Sequence, residues 1–254
     1  MKPARRSLAA AVVLAALCTA CRNAPPSQTS QAIAAQQREA AYRANNRGVA
    51  QMEQDAYADA ARAFREALTA DAGLRLARIN LAIALYHAGQ LPEALQAAND
   101  ARRESPDAPQ PAYVLGLIAR AQGQPQAAVE AFMRVLAIDP SDIGSKVNLA
   151  MIRLGQGRYR EVVALCRAVL ADEPYNATAA YNLALALARA GDEGGSAQAM
   201  RQFEQLRNAP PQSGQLTAAQ QREAAYRANN RGVALMEQDA FADAARTFRE
   251  ALTT

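Results

Sequence analysis

Asn46, Asn80, Asn148 and Asn182 fall on one 34-residue register, with Val114 at the matching place between them. A side-chain amide both donates and accepts a hydrogen bond. A row of amides on one face can therefore hold the backbone of an extended peptide without reading its sequence. The residues that would support catalysis are missing. His87 is the only histidine, which excludes a multi-histidine metal site and leaves a single candidate base for any serine. Cys166 has no obvious activating neighbour and reads as a small buried apolar residue. The run Gly191-Asp192-Glu193-Gly194-Gly195-Ser196 lacks phosphate-loop spacing and a following Lys. Asp139, Asp142, Asp172 and Glu173 sit where carboxylates favour the start of a following helix. The expected chemistry is binding. No enzyme activity, no metal and no cofactor is expected.

The elements that would carry such a row repeat with it. From Ala41 the chain has a period of 34 residues: Gly48, Ala82, Gly116, Ala150 and Ala184 share position eight of each unit, and Ala60, Ala94, Ala128, Val162 and Ser196 share position twenty. Small residues at both positions let two antiparallel helices approach closely. Leu81, Leu115, Leu149 and Leu183 at position seven, with Phe64, Phe132 and Met200 at position twenty-four, fill the space around that crossing. Gly89, Gly123, Gly157 and Gly191 provide the left-handed backbone that ends a helix. Pro106, Pro140 and Pro174 cannot continue the second helix and set the start of the next unit. A fixed period of this length is the signature of an all-α solenoid, in which each unit buries its apolar face on its neighbours.

This pattern resembles the tetratricopeptide repeat (TPR), and five units from Ala41 to about Pro210 fit it without insertion. The resemblance implies a right-handed solenoid of helix hairpins over residues 31–208, whose first helices line a concave groove. Within that groove it places Asn46, Asn80, Asn148 and Asn182, surrounded by Tyr42, Ile83, Tyr86, Tyr113, Leu117, Met151, Tyr181 and Leu185. Tyrosines offer an apolar ring with a polar tip, which suits a binding surface. Arg120 and Arg189 stand ready for an acidic or C-terminal carboxylate, and His87 is expected to be solvated. The sequence departs from the family at position four, which lacks Trp. It also departs at Arg47, in place of Leu, and at Phe203, in place of a small residue.

The N-terminus carries a separate signal. Lys2, Arg5 and Arg6 precede an apolar run from Leu8 to Cys18, too short to span a bilayer and typical of a secretory signal over residues 1–20. Cys18-Thr19-Ala20-Cys21 resembles the lipobox of bacterial lipoproteins, which implies lipidation of Cys21 and a tether over residues 21–30. Arg22 rather than Asp after that cysteine implies an outer-membrane lipoprotein facing the periplasm of a bacterial envelope. The formal charge of +4 includes three basic residues of the signal, so the rest holds 25 Lys and Arg against 24 Asp and Glu. With the basic residues dispersed among acids, no basic stripe for nucleic acid is expected.

Residues 35–69 recur as 219–253 with three changes, Gln51 to Leu235, Tyr57 to Phe241 and Ala63 to Thr247. A Pro/Gly/Ser linker at 209–218 separates this truncated near-copy, 219–254, from the fifth unit, and Thr254 falls before the copy's closing residues. The expected function is a membrane-tethered scaffold that binds a protein or an extended peptide in its groove and aids assembly of an envelope complex. The alternative is the N-terminal TPR module of a larger exported protein, similar to those with FG-GAP repeats and an ASPIC/UnbV region, or with a catalytic region downstream.

Overall fold

The computed structural model describes residues 28–208. The signal, Cys21, the start of the tether, the linker and the near-copy lie outside the described residues. The described part is helical, with no strand, and folds into five successive hairpins. These pair α1 (Gln28–Glu53) with α2 (Tyr57–Ala70), and α3 (Arg75–His87) with α4 (Leu91–Glu104). They continue with α5 (Pro109–Ala121) and α6 (Pro125–Ile138), then α7 (Ile143–Gly155) and α8 (Tyr159–Asp172). The last pair is α9 (Ala177–Arg189) and α10 (Glu193–Asn208). From α3 onward every first helix begins at position one of its 34-residue unit.

The boundaries follow from local chemistry. Gly89, Gly123, Gly157 and Gly191 have φ between +68° and +83°, the left-handed turn inside each hairpin. In the first unit Asp55 takes that place at φ +57°, and its carboxylate accepts a hydrogen bond from the Tyr57 hydroxyl. Pro106, Pro140 and Pro174 each lie two residues beyond a second helix, and the residue before each has left the helical conformation. Asp142 caps α7 by accepting from the Ser145 amide at 2.6 Å, and Asn176 caps α9 by accepting from the Ala179 amide at 2.9 Å.

In the last hairpin positions eight and twenty meet: Ser196 Oγ donates to the Ala184 carbonyl at 2.9 Å. The tightest approach involves position twenty-four as well. A Cβ on Gly48 would lie 2.6 Å from the Phe64 ring, and one on Gly116 would lie 2.7 Å from the Phe132 ring. Where position eight is Ala, position twenty-four holds Ala98, Cys166 or Met200 instead. Glycine thus makes room for the phenylalanine in these two units.

Between hairpins, positions three, seven and ten of each first helix pack on the second helix before it. Ala179, Leu183 and Ala186 of α9 join Cys166 and Val169 of α8, and Leu149 and Ile152 of α7 join Val129 and Phe132 of α6. In α1 the same positions are Arg43, Arg47 and Ala50, all exposed. Arg43 pairs with Glu39 and Arg47 with Glu66. The first unit therefore has one packing face, toward α3, and ends the stack with charge, as repeat arrays require. At the other end Phe203 occupies a place where Ala67, Ala101, Val135 and Val169 are small and buried. Its ring lies 5.1 Å from that of Tyr181, with the Arg207 guanidinium 5.7 Å from its centroid.

Candidate functional site

Successive first helices touch directly at α1–α3, α3–α5 and α7–α9, while successive second helices make no comparable contact. The stack accordingly curves with the first helices on its inner side. The candidate groove residues lie along that side. Met151 and Tyr181 are 43% and 40% exposed, and Tyr42, Ile83, Tyr86, Tyr113, Leu117 and Leu185 are half-buried.

The asparagine row is not uniform. Asn80, Asn148 and Asn182 are buried and Asn46 is half-buried. The Asn80 amide donates to Asn45 Oδ1 at 3.1 Å, and the Asn45 amide points at Asn46 Oδ1 at 3.5 Å. Asn148 donates to the Gly144 carbonyl at 2.8 Å and, more weakly, to the Tyr113 hydroxyl at 3.4 Å. Its own oxygen accepts from Arg120 Nη1 at 2.5 Å. Asn182 and Asn46 keep a side-chain Nδ2 that has no partner among the described residues. Two members of the row thus serve the array itself, and Asn182 holds a buried donor with no partner among the described residues. Asn45, fully buried at position five, belongs to this polar seam although the periodic row does not include it.

The sparsest backbone approach between neighbouring first helices is at α5–α7, where side chains do the bridging. Tyr113 reaches from α5 across to Gly144 of α7, where a Cβ would stand 2.8 Å from its hydroxyl oxygen. Its ring also meets Phe132 edge-on at 5.6 Å. Burial pushes the Tyr113 phenol above its ordinary value and the Asp142 carboxylate acts in the same direction, while the bond from Asn148 and the Arg120 charge oppose them. Tyr113 is a neutral hydroxyl at physiological pH.

His87 is exposed and stacks on Tyr57 at 4.9 Å, with Tyr86 edge-on at 5.2 Å. Cys166 is buried, and burial alone pushes its thiol up to about 12. Among the described residues no three His, Cys, Asp or Glu side chains form a group that could hold a metal. No described helix is long and apolar enough to cross a membrane.

The tetratricopeptide repeat family matches residues 45–109, 79–143 and 147–213. The chain belongs to the TPR family. No curated protein sequence matches it. Among solved structures, the crystal structure of MamA protein superposes with a TM-score of 0.58 at 15% identity, covering 71% of this chain and 98% of the other. YrrB, described as a TPR protein with an unusual peptide-binding site, superposes with a TM-score of 0.55 at 18% identity, over 71% and 93%. MamA from Desulfovibrio magneticus RS-1 gives a TM-score of 0.50 at 22% identity, over 70% and 93%. These similarities establish an all-α TPR solenoid.

Proposed function

We propose that this TPR protein is an adaptor that holds an extended segment of a partner protein along its inner wall, tethered by a lipid on Cys21 to the periplasmic side of a bacterial outer membrane. The observation that carries the binding role is the exposed apolar pair on the inner wall, Met151 of the fourth unit and Tyr181 of the fifth. They are 43% and 40% exposed, on a wall that also holds the half-buried Tyr113, Leu117 and Leu185. Exposed apolar side chains along an inner helical wall suit the side chains of an extended segment. YrrB, similar in fold, is described as having a peptide-binding site, which supports the reading. The tether rests on the sequence from Lys2 to Cys21.

Asn80 and Asn148 are committed inside the array, so the discriminating substitutions are at exposed positions. Met151→Ser with Tyr181→Ser is expected to leave helicity and melting unchanged. It is also expected to abolish capture of proteins that the wild type retains from solubilised envelopes. Unchanged capture by a folded double variant would sink the groove reading. In the same preparation Cys21→Ala is expected to stop palmitate incorporation and shift the protein from the membrane to the soluble fraction. A variant that stays membrane-bound and labelled would refute the lipid tether.

A further inference from the structure

The first unit meets the second in two buried clusters. In one, Ala60, Ala61 and Phe64 of α2 lie with Leu81, Ala84 and Leu85 of α3; in the other, Ala41, Ala44 and Ala67 lie with Leu74 and Ala77 at its start. Two further contacts fix the register. Asn80 of α3 donates to Asn45 Oδ1 at 3.1 Å, and His87 stacks on Tyr57 at 4.9 Å. α3 is thus an acceptor face that calls for a particular set of side chains.

The sequence supplies that set twice. Residues 219–253 repeat 35–69, and every side chain just named on the first unit returns there, from Ala225 for Ala41 to Ala251 for Ala67, except that Phe241 replaces Tyr57. Phe241 keeps the ring that His87 stacks on and drops only a hydroxyl, whose partner is Asp55 of the first unit itself. Leu235 replaces Gln51, whose buried Oε1 has no partner among the described residues, so the copy omits an unsatisfied acceptor that the first unit buries. Thr247 replaces Ala63 at position twenty-three, where the fourth unit holds the still larger Leu165.

The copy is ill-suited to continue its own stack. A sixth unit in register would begin at residue 211, whereas position one of the copy is Ala225. Positions three and seven, which pack each later first helix on the second helix before it, are Arg227 and Arg231 in the copy. The face those positions would turn to α10 is charged, which leaves the face that fits α3. Donor and acceptor stand at opposite ends of the array, since α10 leads into the copy and α3 adjoins the first unit. Such an arrangement joins chains head to tail. On each acceptor the copy competes with a first unit held beside α3 by the short connection 71–74, so its occupancy rises with the concentration of chains.

We propose that α3 is an interaction surface for residues 219–253 of a second copy of this chain, which take the place of the first unit and link chains head to tail.

The test mixes two full-length proteins, one carrying Asn80→Cys and the other Asn229→Cys, with a short bismaleimide. Asn229 is the counterpart of Asn45, so a link between positions 80 and 229, mapped by mass spectrometry, reports the exchanged contact and forms only between chains. One chain carrying Asn45→Cys with Asn80→Cys sets the yield for the contact already present in the fold. The 80–229 link is expected to rise about threefold across a tenfold rise in concentration and to disappear when Phe248→Asp is added to the donor. Without any cysteine substitution, sedimentation velocity is expected to show association of the wild type that Phe248→Asp removes. Absence of the link at every concentration, with the wild type sedimenting as Phe248→Asp does, overturns the proposal. A link that forms only when both substitutions are in one chain also overturns it, because the copy then folds back on its own α3.

Discussion

A single methyl group decides the crossing in the α1–α2 and α5–α6 hairpins. Adding one at Gly116 places it 2.7 Å from a fully buried Phe132 ring. Overpacking of this kind costs about 1–3 kcal/mol. Gly116→Ala is therefore expected to lower the melting temperature, and Gly116→Ala with Phe132→Cys, which reproduces the Ala150–Cys166 pairing of the next unit, to recover much of the loss. Additive losses in calorimetry would show that the two positions do not share one volume. Cys166 supplies a pH-dependent counterpart. Its folded thiol titrates near 12 against 9.0 for an unburied one. The folded state thus binds the proton more tightly, and the stability it contributes is full below pH 9 and is lost as pH rises toward 12. Thermal melts from about pH 8 to about pH 11 are expected to fall more steeply for wild type than for Cys166→Ala. Parallel curves would refute the assignment.

At the scale of the helix and its turns, most of the architecture was legible. The period placed the first helices from α3 onward at position one of each unit, and the glycine turns and closing prolines mark breaks that the structure contains. The asparagine row was legible as an alignment but not as chemistry. Asn80 bonds Asn45, 35 residues away, and Asn148 takes its strongest side-chain partner from Arg120, 28 residues away. A repeat shows which positions line up; it does not show that a residue leans one place off its row to a neighbour. The lean of Tyr113 over Gly144 left no periodic trace at all, since the other units have no glycine at that position.

The described residues form a stack with two unlike ends, and Arg43 and Arg47 define the first of them. Converting both to the residues found one unit later, Arg43→Ala with Arg47→Leu, gives α1 an outer face like that of α3. Sedimentation velocity is expected to show association that grows with concentration in the variant beyond that of the wild type, because an apolar helix face left in water seeks a partner. Identical sedimentation would mean that the arginines are not what keeps this end solitary. The same two residues also carry a history. Residues 219–253 reproduce the first unit, and Arg227 and Arg231 stand where Arg43 and Arg47 do. A gene that copies an interior unit gains length. A copy of this one also carries the two arginines that, on α1, stand exposed where later first helices present small or apolar residues.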